Sequence, residues 1–434
     1  MRIGVEAYMV MYYVIIGFGI LLFLYILLIK EYFHRAVAAG LTAALTLVVL
    51  ILLGRHEFME VLEGIDIDTI ILLMAMMIMV TIMAESKIFT YLAVKIIKKT
   101  HRSPFLLMTI LCLLTGVISG FIDNVTTVIL VTPIIINIAE RIRIDPRPLL
   151  IAIILESNIG GTATLIGDPP NILIGTFADL GFNDFIVNLG PIAVVDMVVA
   201  LIVLKFIFKD WFNMWRHRAR YFDIDEIIEI NRPLMYKSLI IFSITIVLFL
   251  LEDTLGYPPA IPALIGAGLL LAMASKEVTI HRALEGVEWT TIVFFIFMFI
   301  VIRGIQILGV MDFIAGNIAS LNMSKDALII VILWVSAILS AFVDNIPFVM
   351  SMIPVIQKLN IALGIGGPIL YWALSLGGCL GGNGTLVGAS ANIVVASVAE
   401  KHGYDISFRY FLGKGMPIMV ITVGLATVYL LLFY

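Results

Sequence analysis

The sequence predicts an all-α polytopic membrane protein, built as an inverted repeat of two five-crossing halves, each with a re-entrant hairpin and a broken helix. Three observations predict this class. Hydrophobic residues make up 62% of the 434 residues and charged residues only 13%. Apolar runs recur along the chain at the length of a membrane span, and motifs of the first half return in the second half.

The composition excludes a soluble protein. An average soluble domain is roughly 45–50% apolar and 25% charged, so a single compact core could not bury this much apolar surface. The recurring runs of about 18 to 22 residues match a hydrocarbon layer of ~30 Å, which excludes secreted, fibrous and disordered classes. The first run, near residues 8–29, is too long for a signal peptide and has no small-residue cleavage site after it. We therefore expect it to be a retained helix.

One long hydrophilic stretch divides the chain, and apolar segments of similar form lie on both sides of it. The predicted organisation is a first repeat with its N-terminal helix over residues 1–208, a cytoplasmic linker over 209–233 and a second, inverted repeat over 234–434.

The two halves share motifs in one register. GFIDNVTTVILVTPI at 120–134 aligns with AFVDNIPFVMSMIPV at 341–355. In the same register, NIGGTATLIGDPPN at 158–171 aligns with CLGGNGTLVGASAN at 379–392. Upstream, Thr69-Ile70 matches Thr291-Ile292 with the register shifted by one position. An internal duplication of this kind is typical of secondary transporters.

The distribution of basic residues predicts the number of crossings. If Asp123-Asn124 and Asp344-Asn345 form the tips of re-entrant hairpins, each half crosses the membrane five times. Most of the 27 Lys and Arg residues then collect on the cytoplasmic side, as the positive-inside rule requires. This arrangement predicts ten crossings, a cytoplasmic linker and both termini outside.

Carboxylates and amides within apolar segments are candidates for ion binding, because a central Asp costs about 2.5–3.5 kcal/mol in a bilayer. The Gly-rich stretches around several of them would break a spanning helix, which is tolerated only against protein or a water-filled cavity. The freed amides and carbonyls of a broken helix can then bind ions. The predicted substrate and ion site comprises Asp123, Asn124, Asn158, Gly160, Gly161, Thr164, Asp168, Asn171, Asp344, Asn345, Gly381, Gly382, Asn383, Thr385 and Asn392.

The acidic candidates have alternative interpretations. Asp123 and Asp344 precede helical segments and could be N-caps, or they could bind a proton or a cation, with Na⁺ as the candidate metal near both. Asp168 precedes two prolines, which is the pattern of an ordinary helix start. Glu156 and Asp196 have no acidic counterpart in the other half, and they could be interfacial or paired.

Other residue types indicate no further chemistry. Asn124 with Asn345, and Asn171 with Asn392, occupy equivalent positions in the two repeats, and these asparagines could bridge backbone groups instead of binding an ion. Cys112 and Cys379 do not occupy equivalent repeat positions, so they indicate neither a disulfide nor a soft-metal site. All six histidines lie in or beside loops, and no nucleotide-binding motif is present. We therefore predict no cofactor other than Na⁺ or H⁺ as a coupling ion.

Five motifs carry a resemblance to a known family. IDNVTTVILVTP, NIGGTATLIGDPPN, VDNIPF, CLGGNGTLVGASANIV and AEKHGYDISF resemble the ion transporter superfamily, and within it the melanosomal P protein group with its prokaryotic relatives. The superfamily includes arsenite permeases, NhaD-type sodium/proton antiporters, citrate transporters and divalent-anion/sodium symporters. The resemblance covers nearly the whole chain. It implies a homodimer in which each protomer has a scaffold part and a transport part that moves like an elevator.

The hairpin tips depart from one branch of that superfamily. In the divalent-anion symporters a Ser-Asn-Thr signature at the tips helps to bind sodium and the substrate carboxylate. The matching tripeptides here are Asp123-Asn124-Val125 and Asp344-Asn345-Ile346. Two additional carboxylates would repel a dianion unless they are protonated or hold cations, so this departure favours coupling to a cation or a proton.

The leading hypothesis is a secondary active transporter, not an enzyme, which moves a small ion coupled to H⁺ or Na⁺ by elevator-type alternating access. The alternatives are an arsenite or inorganic anion permease and a passive anion channel of the same fold. An intramembrane aspartyl protease is disfavoured because no GxGD motif accompanies either tip Asp. We expect an integral protein of a prokaryotic cell membrane, in contact with lipid and a small ion and not with nucleic acid.

Overall fold

The computed structural model describes residues 2–30, 32–54, 58–100, 102–219 and 229–434, so residues 220–228 of the predicted linker lie outside it. The described residues form helices and no strand. Eleven of these helices are long and apolar enough to cross a membrane, and they include both arms of each hairpin. The all-α polytopic class is thus confirmed.

The helices of the first half are α1 Arg2–Lys30, α2 Arg35–Leu52, α3 Phe58–Leu62, α4 Ile67–Glu85, α5 Ile88–Thr100, α6 Pro104–Phe121, α7 Asn124–Ile142, α8 Arg147–Gly161, α9 Pro169–Ala178, α10 Phe182–Asn188, α11 Gly190–Ile207 and α12 Lys209–Ala219. The helices of the second half are α13 Arg232–Leu250, α14 Glu252–Leu255, α15 Ala260–Met273, α16 Ile280–Glu285, α17 Trp289–Ile307, α18 Val310–Ser320, α19 Lys325–Phe342, α20 Asn345–Leu363, α21 Ile369–Gly381, α22 Ser390–Lys401 and α23 Phe408–Phe433.

The duplication is visible in the helix bounds. Helices α19 and α20 begin and end at the positions that the motif alignment pairs with the bounds of α6 and α7. Helix α17 likewise matches α4 at both ends, in the register shifted by one position. The shift predicted from the sequence therefore lies between α17 and α19. Equivalent sequences have folded into equivalent helices in the two halves.

Each half contains one hairpin and one broken helix, as predicted. Two residues in extended conformation, Ile122 and Asp123, connect α6 to α7. Val343 and Asp344 connect α19 to α20 in the same way. The first broken helix stops after α8 and resumes at α9, where Pro169 supplies a preset helical φ angle. The second stops after α21 and resumes at α22.

The helices pack in two groups. The hairpin unit comprises α6–α9, α11 and α19–α23, with the closest packing between α6 and α8 and between α19 and α21. The scaffold helices are α1, α2, α4, α13, α15 and α17, in which α2 packs on α17 and α4 on α15. Small residues permit these scaffold contacts: Gly40 faces the ring of Phe297, and Gly304 faces the side chain of Thr46.

A cluster of carboxylates joins the short helices α10 and α14 outside the long spans. The carboxylate of Glu252 accepts the backbone N–H of Phe182, the first residue of α10. Asp253 accepts the side-chain amide of Asn183 at 2.8 Å, and Asp184 accepts the N–H of Gly181 at 2.9 Å. Burial, and then the nearby charges of Asp253 and Asp184, raise the pKa of Glu252 to about 7, although the Phe182 hydrogen bond opposes this shift.

The stability that Glu252 contributes should depend on pH. Its pKa in the folded chain, about 7, lies above the ordinary value of 4.5, so the folded state binds the proton more tightly. The contribution is therefore complete below about pH 4.5 and is lost as the pH rises through about 7. We expect Glu252→Gln to reduce the fall in melting temperature between about pH 5 and about pH 8 in detergent. Exposed Glu400→Gln is the control, and an equal fall in the two variants would contradict this assignment.

Candidate functional site

The hairpin tips place Asp123 and Asp344 at the N-termini of α7 and α20. Asp123 Oδ1 accepts the N–H of Thr126 at 2.8 Å, and Asp344 Oδ1 accepts the N–H of Ile346 at 3.2 Å. Both aspartates are therefore N-caps, as one of the two interpretations of the sequence predicted. A cap uses one carboxylate oxygen, so capping and ion binding are compatible.

Asp168 does not behave as the sequence pattern predicts. It stands at the N-cap position of α9, but its side chain accepts no capping hydrogen bond. Its two carboxylate oxygens instead accept the side-chain amide of Asn345 at 3.4 and 3.3 Å. The helix starts where the pattern predicts, but the predicted side-chain cap is absent, because the carboxylate is directed to the tip of the other repeat's hairpin.

Four of the predicted asparagines form one buried network between the repeats. The amide of Asn124 donates to Asn158 Oδ1 at 3.1 Å. The amide of Asn158 donates to Asn383 at 2.9 Å and to Asn392 at 3.0 Å. All four side chains are at most 3% exposed. The network therefore ties the first hairpin tip to both broken helices.

Asn171 and Asn392 stabilise the breaks in the two helices in the same way. The side-chain amide of each donates to the carbonyl of a threonine in its own loop, Thr164 for Asn171 and Thr385 for Asn392, at 2.9 Å in both cases. Asn392 also donates to the carbonyl of Gly382 at 2.8 Å. The backbone-bridging interpretation describes this pair. Asn171 Oδ1 also accepts the hydroxyl of Ser375 at 2.6 Å.

The loop threonines pack against the hairpins, and glycines at or next to the ends of α8 and α21 lie close to neighbouring atoms. The hydroxyls of Thr164 and Thr385 donate to the carbonyls of Gly120 and Ala341, respectively. A Cβ on Gly161 would lie 2.6 Å from the carbonyl oxygen of Gly167. Similar close approaches to neighbouring atoms occur at Gly160, Gly381 and Gly382. These glycines permit close backbone packing around the site.

Gly161→Ala is expected to destabilise the protein. The added methyl group would meet backbone, which cannot rotate away as a side chain can, and overpacking of this kind costs about 1–3 kcal/mol. Gly316→Ala is the matched control, because nothing lies within 4 Å of its Cβ position in helix α18. Thermal unfolding in detergent should show a lower melting temperature for the first variant alone. Equal melting temperatures would show that the backbone around Gly161 has room to move.

A cavity of about 20 Å³ lies where the two tips meet the scaffold. Its charged lining consists of three carboxylates, Asp123, Asp168 and Glu288, and one guanidinium, Arg35. The remaining lining residues are Met77, Asn124, Val125, Pro169, Thr291, Asn345, Ile346 and Ser390. The structure thus brings both hairpin tips and both broken helices to one space.

Arg35 joins the scaffold to the hairpin unit. From the start of α2, its Nη1 donates to Asp344 Oδ2 at 3.1 Å and also to the hydroxyl of Ser390. Its Nη2 donates to Thr291 Oγ1 at 2.9 Å, and Thr291 in turn donates to Glu288 at 2.9 Å. The positive charge of Arg35 is therefore paired with Asp344, just outside the three lining carboxylates.

Sequence reasoning missed Arg35, Glu288, Thr291 and Ser390 as site residues. One available signal was the repeat itself, since Glu288 and Thr291 align with Asp66 and Thr69 in the register of the upstream match. Both pairs make the same contact: Thr69 Oγ1 donates to Asp66 at 2.5 Å, as Thr291 does to Glu288. An acid and a threonine thus precede or begin the same scaffold helix in each repeat.

A second cavity of about 600 Å³ lies farther along the same helices. Helix α4 contributes Met77 to the first cavity and Ile67 to the second, and α9 contributes Pro169 to the first and Thr176 to the second. At 1.5 Å per residue, the two cavities lie about 10–15 Å apart along these helices. The polar lining of the second cavity consists of Glu63, Asp66, Asp68, Thr176, Arg303 and Gln306.

Similarity to known proteins identifies the family of this chain. A family model described as citrate transporter matches residues 23–377. The chain belongs to the citrate transporter family. It is therefore an integral membrane protein and a membrane transporter, and transporters are not enzymes.

Relatives of this citrate transporter family member match nearly its whole length. A 46 kDa membrane protein of Mycobacterium leprae is 34% identical over 97% of this chain and 99% of its own length. An uncharacterized transporter of Mycobacterium tuberculosis is 35% identical over 94% of this chain and 96% of its own. The human P protein is 32% identical over 96% of this chain and 60% of its own length. The resemblance to the P protein group is confirmed.

A solved structure shares the fold of this citrate transporter family member. The YdaH transporter of Alcanivorax borkumensis, whose crystal structure is described as revealing an unusual topology, superposes with a TM-score of 0.59. The superposition covers 86% of this chain and 87% of that one at 13% identity. At that identity the likeness concerns the fold alone.

Proposed function

We propose that the protein is a secondary active transporter that moves a small ion, coupled to H⁺ or Na⁺, by elevator-type alternating access. The observation that carries the proposal is the small acidic cavity at the hairpin tips. Its volume is about 20 Å³, and a single water molecule needs about 10–15 Å³. The cavity therefore suits one ion or water and no larger solute.

The charges around the cavity favour a cation. Three carboxylates line it, and the single guanidinium among its lining residues is already paired with Asp344. Carboxylate and amide oxygens are ligands that hard cations prefer. Asn124 and Asn345 supply such amides beside the carboxylates. In this proposal the coupling role belongs to the two tip carboxylates: Asp123 lines the cavity, and Asp344 lies just outside it, paired with Arg35.

The same charges weigh against the anionic alternatives. Citrate, which gives the family its description, would bring three further negative charges to the lining carboxylates, and like charges repel strongly where the dielectric constant is low. A passive anion channel that led through this cavity would meet the same barrier. Arsenite is neutral at pH 7 and escapes this argument, so the transport assay must include it.

The broken symmetry of the repeats supports the elevator motion. The hydroxyls of Thr69 on scaffold helix α4 and Thr176 on α9 of the hairpin unit lie 3.2 Å apart. Their repeat mates are Thr291 and Ser397, but Thr291 instead bonds to Arg35 and Glu288. In each end state of an inverted-repeat transporter, the two equivalent halves make different contacts. The opposite end state would exchange the contacts.

In this proposal Arg35 holds the empty carrier. Its guanidinium occupies the place of a cation at Asp344 and fixes the hairpin tip to the scaffold. A transported cation that binds at the tip competes with Arg35 for the carboxylate and frees the hairpin unit to move.

The family resemblance adds a homodimer to the proposal. The charge distribution adds a cytoplasmic linker and external termini, in the cell membrane of a prokaryote.

Ion flux into proteoliposomes tests the proposal directly. The purified protein is reconstituted with an internal pH dye, and Na⁺, chloride, citrate and arsenite are each added outside. We expect proton movement driven by Na⁺ or another monovalent cation and no response to citrate. Silence with every cation, or flux driven by an anion, would overturn the proposal.

Arg35→Gln should tighten apparent cation binding. Removing the competing guanidinium exposes Asp344 to the cation, so the half-saturating cation concentration should fall by roughly threefold to tenfold, a partly exposed ion pair being worth about 1 kcal/mol. Arg282→Gln is the control, because Arg282 pairs with Glu85 and Glu285 away from the site. A rise in the half-saturating concentration would contradict competition between Arg35 and the cation for Asp344.

A further inference from the structure

Two carboxylates in the hairpin unit are buried outside the tip cavity. Glu156 on α8 and Asp196 on α11 have no solvent exposure. None of their four carboxylate oxygens has a hydrogen-bond partner among the described residues. Neither has an acidic mate in the second repeat, where the aligned positions are Gly377 and Pro417. The proposed cation coupling at the hairpin tips does not use these two carboxylates. They also have no structural role that both repeats share, because the second repeat lacks them.

The geometry of three helices brings the two carboxylates to one depth. Trp211, just after α11, donates its indole N–H to the carbonyl of Asp145 at 2.8 Å, so the end of α11 lies beside the start of α8. Counted from that end at 1.5 Å per residue, Glu156 lies about 14 Å and Asp196 about 16 Å along its helix. Both carboxylates are therefore near the middle of the hairpin unit.

Helix α6 closes this region from a third side. A Cβ on Gly116 would lie 3.2 Å from the carbonyl oxygen of Glu156 and 3.1 Å from the sulfur of Met197, the neighbour of Asp196. Next to Gly116, the hydroxyl of Thr115 is also buried without a hydrogen-bond partner among the described residues. Three helices thus contribute polar groups with no described partner to one apolar region.

No described basic side chain faces this pair. Cys112, one turn before Gly116, is the one titratable group of α6. The remaining titratable groups of the helices packed on α8 and α11 lie within two turns of a helix end: Glu140, Arg141, Arg147, Asp184, Lys205, Tyr371, Cys379, Glu400, Lys401, Arg409, Tyr410, Lys414 and Tyr429. An ionised carboxylate without a counter-charge is very costly in such surroundings, so a proton is the ligand that this pair can hold.

We infer that Glu156 and Asp196 form the proton-binding site of the carrier, separate from the cation site at the hairpin tips. The step is the addition of H⁺ to a carboxylate to give a neutral carboxyl group. The inference rests on the proposed function, because it assigns the proton of that transport cycle to named residues.

One turn of α8 connects this pair to the tip. Ser157 follows Glu156, and its hydroxyl donates to the backbone carbonyl of Asn124 at 3.1 Å. Asn158 comes next and accepts the side-chain amide of Asn124 at 3.1 Å. A change of charge at Glu156 therefore acts on the same turn that holds the first hairpin tip, which gives proton and cation binding a direct physical link.

Infrared spectroscopy of the whole protein tests proton binding without any transport. At neutral pH the parent should show a carbonyl stretch of protonated carboxyl groups, and exchange into D₂O should shift it. Glu156→Gln and Asp196→Asn should each remove part of that band, whereas the exposed controls Glu140→Gln and Asp326→Asn should leave it unchanged. A band unchanged in the double variant of Glu156 and Asp196 would overturn the inference.

Proteoliposome assays then test the role in transport. Amide side chains imitate the protonated carboxyl groups, so the double variant should fold, which its elution volume and melting temperature will show. Its cation-driven proton movement should fall at least tenfold, although the variant still binds the cation. Parental proton movement in this variant would overturn the inference and leave the proposed function intact. If the parent itself moves no protons, the proton-coupled form of the proposed function fails, and the infrared band still decides whether the pair binds protons.

Discussion

Cation-coupled flux is expected to disappear when Asp123→Asn and Asp344→Asn are combined. Each substitution removes a negative charge from the tip region, and a hydrogen bond or ion contact to a charged group contributes about 1.5–3 kcal/mol. Two such losses predict a fall in flux of about 100-fold or more. The fold should survive because Asn is as good an N-cap as Asp, and both aspartates cap helices. Initial rates in proteoliposomes are the measurement.

The two single variants should differ, because the tips have different surroundings. Asp344→Asn leaves Arg35 without its carboxylate and adds a free positive charge beside the cavity, so it should weaken cation binding more than Asp123→Asn does. Asp210→Asn combined with Asp326→Asn, at two exposed positions, is the matched control for the double variant. Parental flux in the Asp123 and Asp344 double variant would remove the coupling role and leave both residues as caps alone.

The sequence was most informative where the duplication repeats a pattern. The shared motifs predicted the hairpins and the broken helices, and the bounds of α6, α7, α19 and α20 agree to the residue with the alignment of those motifs. The doubled asparagines Asn124, Asn171, Asn345 and Asn392 are predicted for the same reason, since a buried amide that occurs twice needs a partner in each repeat. Asn158 and Asn383 align with Cys379 and Thr162, and they were candidates only as amides within apolar segments. Their pairing with one another across the repeats could not be foreseen from spacing along the chain.

The remaining site residues depend on contacts that the sequence does not reveal. Arg35 stands at the start of an apolar helix, where a basic residue ordinarily marks a cytoplasmic loop. Its partner Asp344 lies 309 residues away. Asp168 carries a helix-start pattern, but the packing of the second hairpin directs its carboxylate to Asn345. For both residues, contacts with distant parts of the chain determine the role of the side chain, and the local sequence pattern does not reveal those contacts.

A disulfide between Thr69→Cys and Thr176→Cys is expected to stop transport. The two hydroxyls lie 3.2 Å apart, one on the scaffold and the other on the hairpin unit, which is close enough for a disulfide after small adjustments. An oxidised pair would fix the hairpin unit to the scaffold, so flux should fall to the level of empty liposomes and return with a reducing agent. The background carries Cys112→Ala and Cys379→Ala, which removes both native cysteines.

The repeat symmetry predicts a second cross-link that excludes the first. Thr291→Cys and Ser397→Cys occupy the equivalent positions in the other half. Thr291 now shares Arg35 with Ser390, and Ser397 lies two turns farther along α22, about 10 Å away at 1.5 Å per residue. A movement of this size would bring Thr291 and Ser397 together and would separate Thr69 from Thr176.

The two cross-links should therefore respond in opposite directions to the transported cation, which changes the populations of the end states. In protein carrying all four cysteines, one molecule should form one disulfide or the other but never both, as peptide mapping will show. The single-cysteine variants control for the substitutions themselves. Formation of both disulfides in one molecule, or full flux with the first disulfide closed, would mean that the hairpin unit does not move past the scaffold, and the elevator would have to be abandoned.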